Sequence, residues 1–238
     1  MTTNLRRPVA LIGLMGAGKS AVARVLGERL GVSVADLDGM IEAIEGCSIA
    51  ELFERAGEAW FRRRESELLA EALRSGVRIV ACGGGVVLDA TQRALLRERC
   101  LVVWLEVDPA EAARRVTAEH DDPSRVRPLL AGAEPSERLA SLLAARAPLY
   151  AEAAHVRVAT MGRTPEQVAD AVLAHLDLER QIGAYEAEAA AAESLADFPV
   201  AFAALLGCEA RDIAWVMDSL KKVETSLERI EERLNKHV

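Results

Sequence analysis

The amino-acid sequence predicts an α/β protein in which five parallel strands lie between two layers of helices, followed by an all-α extension. Short apolar runs alternate with segments of helical spacing as far as residue 177, which is typical of a parallel sheet covered on both faces. Beyond residue 178 the chain becomes alanine- and glutamate-rich, and apolar residues then recur in heptad register over residues 213–234. We therefore expect one domain over residues 1–178 and a helical extension over residues 179–238.

Each predicted strand is a short apolar run that ends at a polar or glycine-rich turn. The five runs are residues 9–12, 33–36, 77–82, 101–107 and 155–159. The helices carry start signals, among them the capping-box pair Ser48 and Glu51, which opens a short helix, and Thr164 followed by Pro165. A longer helix is expected over residues 58–74. Because right-handed crossovers join parallel strands, the loops at the carboxyl ends of the strands should form the ligand site.

Composition and charge favour a soluble protein that binds small molecules. The chain has 37 acidic and 29 basic residues and a net charge of -8, which argues against nucleic acid or an anionic membrane as a partner. Its longest uncharged stretches are far shorter than the roughly 20 residues that a membrane span needs. The widely spaced cysteines form no metal-ligand pair and fit a reducing cytoplasm; they are Cys47, Cys82, Cys100 and Cys208.

Residues 13–20, with the sequence GLMGAGKS, satisfy the Walker A pattern between a predicted strand and a predicted helix. The glycines let backbone N–H groups cradle phosphate oxygens. Lys19 can supply a positive charge to the outer phosphates, and the Ser20 hydroxyl can ligate Mg²⁺. The motif predicts a nucleotide-phosphate site, but it does not separate a kinase from a GTPase or a motor ATPase.

Two further patterns follow predicted strands. Asp36 and Asp38 flank Leu37, and in an extended segment their carboxylates would share one side, where one could approach Mg²⁺ and the other a substrate hydroxyl. The same pair is also typical of a turn and helix cap. Residues 83–85 are three glycines, which either admit a ligand close to the backbone or form a flexible turn.

Arginines mark two more patterns in the second half of the domain. The run from Arg125 to Leu130 follows a polar stretch and indicates a mobile loop, or lid, over about residues 115–128. Arg146 begins the run RAPLY late in a predicted helix. Each arginine cluster is otherwise compatible with an ordinary solvated helix face.

Taken in order, these patterns resemble the shikimate kinase family over residues 5–178. The resemblance rests on residues 13–20, 36–38, 83–85, 127–130 and 146–150, together with Phe61, Arg62 and Glu65. It implies the P-loop, nucleoside-monophosphate-kinase-like three-layer fold. It also implies ATP-dependent phosphorylation of shikimate at its 3-hydroxyl, giving shikimate 3-phosphate and ADP, a step of chorismate and aromatic amino-acid biosynthesis.

The resemblance also assigns roles to individual residues, with Mg²⁺ as the cofactor. It implies that shikimate is held by Asp38, Arg62, Gly84 and Arg146, and that Lys19, Asp38 and Arg127 are catalytic. It implies that Ser20 and Asp36 belong to the Mg²⁺ shell. The ATP-binding residues would be Gly16, Ala17, Gly18, Lys19, Ser20, Ala21, Arg115, Arg127 and Arg163. The segment before Arg127 looks longer than in typical members, so Arg114 is an alternative to Arg115 for the adenine contact.

Three alternatives stay open at this point. The chain could be another small-metabolite kinase such as a gluconate kinase, although that family has no evident need for Asp36, Asp38, Arg62 and Arg146 together. It could also be a catalytically silent sensor of the same fold. The extension over residues 179–238 could mediate self-association or bind a partner through its heptad seam, or it could dock on its own domain as a helix.

Overall fold

The computed structural model describes residues 5–118 and 134–177, which form a five-stranded, fully parallel sheet with helices around it. The strands are β1 (Val9–Ile12), β2 (Val34–Asp36), β3 (Ile79–Ala81), β4 (Leu101–Glu106) and β5 (Val156–Ala159), in the order β2-β3-β1-β4-β5. The predicted α/β class and all five predicted strands are confirmed. The predicted extension over residues 179–238 and most of the predicted lid lie outside the described residues.

The helices are α1 (Lys19–Leu30), α2 (Leu37–Glu45), α3 (Ile49–Arg74), α4 (Ala90–Arg99), α5 (Pro109–Ala118) and α6 (Pro135–Ala153). Residues 165–177 are also helical, and a single 3-10 turn spans Val86–Leu88. Among residues 5–118 and 134–177, no helix combines the length and the apolar character needed to cross a membrane.

The sheet topology determines where a ligand can bind. β1 lies at the centre of the sheet, paired with β3 on one side and β4 on the other, and its four residues are fully buried. The chain leaves β1 towards β2 at one edge, whereas it leaves β4 towards β5 at the other edge. Crossovers that diverge from neighbouring strands leave a crevice beyond their carboxyl ends. The loop after β1 and the start of α5 therefore flank the expected ligand crevice.

The junction after β2 distinguishes the two interpretations of Asp36 and Asp38, an extended segment or a turn with a helix cap. The structure shows a helix start, because β2 ends at Asp36 and α2 begins at the next residue, Leu37. Asp38 thus lies in the first turn of a helix, where the N-terminal end of the helix dipole favours a carboxylate. The strand and the helix are joined without an intervening loop.

Helix α3 confirms the predicted capping box and the predicted two-part helix. The Ser48 hydroxyl accepts a hydrogen bond from the Glu51 N–H, and the Glu51 carboxylate accepts one from the Ser48 N–H. The helix is interrupted at Gly57, whose φ of 78° and ψ of 167° are not helical. This conformation is essentially restricted to glycine. The second part of α3 begins after this residue and carries Arg62 and Glu65.

We predict that Gly57→Ala lowers the free energy of unfolding by about 1–3 kcal/mol, because an L side chain disfavours the observed φ and ψ. No atom lies within 4 Å of the position that the new Cβ would take, so the effect should come from the backbone alone. Chemical denaturation of the two proteins measures the difference. Gly39→Ala is the matched control, because Gly39 lies inside α2 without a positive φ and alanine there should be neutral or stabilising. Equal effects of the two substitutions would contradict the prediction.

Candidate active site

The Walker A residues form a loop between β1 and α1, as predicted. Gly18 precedes α1 with a φ of 84°, and no side chain caps the helix. The first N–H groups of α1 therefore face the loop without a side-chain partner of their own, which is the arrangement that binds phosphate. The Lys19 ammonium group lies against the same loop, where it donates hydrogen bonds to the carbonyl oxygens of Gly13 and Leu14, both at 3.0 Å.

A cavity of about 670 Å³ opens beside this loop. Its volume is in the range of small-molecule sites. It gathers the predicted ATP-binding residues that the structure describes, namely Gly16, Ala17, Gly18, Lys19, Ser20, Ala21, Arg115 and Arg163. Arg114, Asp36 and Asp38 also line it. Arg127, the predicted lid arginine, lies outside the described residues.

The donors on one part of the cavity lining suit a magnesium ion that arrives with a nucleotide. The Ser20 hydroxyl and the Asp36 carboxylate both line the cavity, and hard oxygen ligands are what Mg²⁺ prefers. Asp36 occupies the N-cap position of α2, yet its side chain makes no capping hydrogen bond. Within residues 5–118 and 134–177, no three His, Cys, Asp or Glu side chains converge as a metal cage. Mg²⁺ held mainly by phosphates needs only one or two protein oxygens.

Helix α5 contributes two arginines that differ in how they are held. Arg114 forms a two-pronged ion pair with Glu111 and is 70% exposed. Arg115 is 22% exposed and also binds Glu111, with an Nε···Oε1 distance of 2.7 Å. Hydrogen bonds from Arg114 and Arg115 lower the pKa of Glu111 to about 2. Of the two candidates for the adenine contact, Arg115 is the one whose side chain is partly buried at the cavity wall.

The three glycines after β3 are closely packed, the first and third against charged side chains and the second against the backbone of the phosphate loop. A Cβ added to Gly83 would lie 2.0 Å from Oε1 of Glu65, and one added to Gly85 would lie 2.3 Å from the guanidinium carbon of Arg62. Neither glycine has a positive φ. The close approach at Gly83 and Gly85 is made by Glu65 and Arg62, and the ligand contact predicted for Gly84 stays a prediction. The Asp38 carboxylate lies at the same place, 3.0 Å from the Cβ position of Gly83.

Arg62 is positioned by carboxylates on its own helix. Its guanidinium donates to Glu65 at 2.7 Å and to Glu58 at 3.3 Å. Glu65 is only 2% exposed, and its second oxygen, Oε1, has no hydrogen-bond partner within the described ranges. Burial raises the pKa of Glu65, and the neighbouring Asp38 adds to this effect, whereas Arg62 and Lys19 oppose it. An acidic pair and two cations therefore face each other in this part of the site.

Arg146 is the most unusual charge in the site. It is 5% exposed and donates a hydrogen bond to the Gly84 carbonyl at 3.1 Å. Among the described residues no carboxylate lies within ion-pair distance of it. Burial of a guanidinium is unfavourable unless an anion pairs with it. Tyr150, one helical turn later, donates to the same carbonyl, and burial raises its pKa to about 12.

The structure thus brings the predicted residues Asp38, Arg62, Gly84 and Arg146 together around the glycine turn. Sequence reasoning named Glu65 only as part of a pattern and gave Tyr150 no role of its own. Both follow a site arginine at helical spacing, Glu65 three residues after Arg62 and Tyr150 four residues after Arg146. That spacing is the signal that could have identified them.

Comparison with known proteins gives a consistent result. The family model for shikimate kinase matches residues 15–177. Among curated proteins, a shikimate kinase of Symbiobacterium thermophilum is 42% identical over 168 residues, covering 71% of this chain and 95% of that protein. A shikimate kinase of Corynebacterium efficiens is 41% identical over 174 residues, covering 73% of this chain and 99% of that protein.

Solved structures agree with this result. Shikimate kinase from Acinetobacter baumannii, determined in complex with shikimate, superposes with a TM-score of 0.66 and 36% identity, over 73% of this chain and 94% of that one. Shikimate kinase from Bacteroides thetaiotaomicron superposes with a TM-score of 0.63 and 27% identity, over 73% of this chain and 98% of that one.

The raised pKa of Glu65 predicts how the stability of the fold changes with pH. The folded protein retains the Glu65 proton to a higher pH than the unfolded chain, whose carboxyl has the ordinary pKa of 4.5. The contribution of Glu65 to stability is therefore complete below that value and is lost as the pH rises through the folded pKa. We expect Glu65→Gln, which does not titrate, to gain stability relative to the native chain as the pH is raised from about 4 to neutral pH. Denaturation of both proteins across this range tests it, and the opposite trend would show that Arg62 outweighs burial.

Proposed function

The chain belongs to the shikimate kinase family, and we propose that it transfers the terminal phosphate of ATP to the 3-hydroxyl of shikimate. The products are shikimate 3-phosphate and ADP, and the reaction is a step of chorismate and aromatic amino-acid biosynthesis. One observation carries the proposal. The Walker A cavity adjoins a second cluster in which Arg62, Arg146 and Asp38 meet at the glycine turn.

The second cluster suits a ring that bears a carboxylate and hydroxyl groups. Guanidinium groups bind a carboxylate through two parallel hydrogen bonds, which a lysine cannot reproduce. Arg146 supplies a buried positive charge that has no carboxylate partner among the described residues. Arg62 is oriented by Glu58 and Glu65. We assign the substrate carboxylate to these two arginines, and a substrate hydroxyl to Asp38.

Phosphoryl transfer requires mainly alignment and neutralisation of charge. The N–H groups at the start of α1 and the Lys19 ammonium group hold the phosphates. Asp38 accepts the hydrogen bond of the attacking hydroxyl and orients it in line with the outer phosphate. When bound, Mg²⁺ neutralises phosphate oxygens, and Ser20 and Asp36 are the residues that would hold it. Arg127 is assigned to the same phosphates by its position in the family pattern.

Two alternatives differ from this function, one in its substrate and the other in whether ADP is released. A gluconate kinase would need no paired arginines for a ring carboxylate at the glycine turn. A silent sensor would bind ATP without releasing ADP. We further propose a cytoplasmic location, small-molecule substrates with neither nucleic acid nor a membrane as partner, and a role in self-association or partner binding for residues 179–238.

ADP release, measured by a coupled assay with shikimate and with gluconate in parallel, tests the function directly. We expect turnover with shikimate only.

Lys19→Ala should lower kcat by about 10²-fold or more, because it removes a charge placed at the phosphates, while circular dichroism should show an unchanged fold. Turnover retained by this variant would contradict the assignment of the phosphate site, and turnover with gluconate alone would contradict the assigned substrate.

Arg62→Lys tests the substrate side separately. Lysine keeps the charge but loses the two-pronged hydrogen bond, so the KM for shikimate should rise about tenfold or more, while the KM for ATP stays near its native value. Arg63→Lys is the matched control, because Arg63 is exposed on the same helix and no role is assigned to it. An unchanged KM for shikimate in Arg62→Lys would remove Arg62 from the carboxylate site.

A further inference from the structure

Helix α5 packs directly against the phosphate loop. Gly16 has a φ of 79°, and a Cβ added to it would lie 2.7 Å from the carbonyl oxygen of Ala112 and 3.0 Å from its Cα. These are backbone atoms of α5 and cannot move aside as a flexible side chain would. The glycine in the middle of the Walker A motif therefore brings the loop against the backbone of a neighbouring helix as well as towards a nucleotide.

Arg115 of the same helix ties this loop to the end of β5. Its guanidinium donates hydrogen bonds to the carbonyl oxygen of Gly16 at 3.3 Å, to the Thr160 carbonyl at 3.0 Å and to the Thr160 hydroxyl at 3.2 Å. Thr160 is fully buried, and its hydroxyl donates in turn to the Glu106 carbonyl at the end of β4. The guanidinium thus links the loop after β1 to the residue that follows β5, and Thr160 in turn links both to the end of β4.

The peptide group between Gly16 and Ala17 is held on both sides. Its carbonyl accepts the hydrogen bond from Arg115, and its N–H donates to the Leu14 carbonyl at 3.2 Å. A peptide group with both ends engaged cannot rotate without losing a hydrogen bond. Because the loop binds phosphate through its backbone, fixing this peptide fixes part of the phosphate-binding surface before the ligand arrives.

The negative charge of Glu111 is not explained by a direct role in binding phosphates. Its carboxylate lines the cavity where a polyanion is to bind, and a negative charge there opposes binding by Coulomb repulsion. Glu111 lies one helical turn before Arg115, accepts its Nε–H at 2.7 Å, and leaves the other nitrogens of the guanidinium directed at Gly16 and Thr160. Glu111 also forms the two-pronged ion pair with Arg114, but its contact with Arg115 is the one that continues to the phosphate loop through Gly16.

We propose that Glu111 and Arg115 are positioning residues that hold the phosphate loop in its binding conformation. This role is additional to the adenine contact assigned to Arg115, and it rests on the proposed function only in that the cavity takes a nucleotide's phosphates. The proposal predicts an effect on affinity that is opposite in sign to the effect of charge repulsion. Removing a negative charge from the wall of a polyanion site should weaken the binding of that polyanion.

Binding of tripolyphosphate in the presence of Mg²⁺, measured by calorimetry, tests this statement without any contribution from adenine. We expect Glu111→Gln to weaken binding about tenfold, the effect of losing a hydrogen bond between charged groups. Charge alone predicts tighter binding, so unchanged or tighter binding by this variant would overturn the proposal. Glu28→Gln is the charge-matched control, because Glu28 pairs with Arg24 on the exposed face of α1 and should leave the affinity unweakened.

Arg115→Lys provides a second, independent measurement. It keeps the positive charge but cannot reach Glu111, Gly16 and Thr160 together, so tripolyphosphate binding should weaken about tenfold. Arg24→Lys is the matched control, because Arg24 pairs with Glu28 on the exposed face of α1 and should leave tripolyphosphate binding unchanged. Native affinity for tripolyphosphate in Arg115→Lys, or an equal loss of affinity in Arg115→Lys and in its control variant, would overturn the proposal.

Failure of the inference is distinguishable from failure of the proposed function. If the native chain binds neither ATP nor tripolyphosphate, the nucleotide site itself is wrong. If the native chain binds both and Glu111→Gln binds tripolyphosphate as tightly as the native chain does, only the positioning role fails. Thermal unfolding of each variant, compared with the native chain, shows whether a lost affinity reflects a lost fold.

Discussion

The site depends on the absence of side chains at Gly83 and Gly85. Glu65 fills the space at the first of these residues and Arg62 fills the space at the second, so the two glycines allow a buried ion pair to lie against the end of β3. The carbonyl of Gly84, between them, accepts hydrogen bonds from Arg146 and Tyr150 of α6. Three residues thus connect helix α3, helix α6 and the phosphate loop, and a methyl group at the first or third would separate these elements.

The electrostatics of the site run against the charge of the whole chain. The protein carries a net charge of -8, yet the glycine turn gathers two guanidinium groups and lies close to Lys19. The two arginines, Arg62 and Arg146, differ in the groups that surround them. Arg62 is paired with carboxylates that orient it, whereas Arg146 is buried against a carbonyl and a tyrosine. A paired guanidinium contributes direction, and one that has no carboxylate partner within residues 5–118 and 134–177 can contribute more of the attraction for an anion.

Local signals in the sequence predicted the strands, the Walker A loop and the capping box of α3, because each depends on residues that are neighbours in the chain. The role of Thr160 could not be predicted in this way, and the helical spacing of Glu65 from Arg62 indicates their ion pair but not its place in the site. Glu65 is defined by packing against Gly83, and Thr160 by hydrogen bonds to Glu106 and Arg115, contacts that join distant parts of the chain. The sequence left both an extended segment and a helix start open at Asp36 and Asp38, since apolar runs locate a strand well but do not show where the following helix begins.

The loopless junction between β2 and α2 has a consequence for how this region can vary among related sequences. Asp36 terminates the strand and Asp38 lies in the first turn of the helix, so the direction of the second carboxylate is set by the helical rotation of about 100° per residue. A single inserted or deleted residue would swing Asp38 away from the glycine turn, and no intervening coil exists to absorb the change. This stretch should therefore tolerate exchanges of side chain at Leu37 far better than any change in its length.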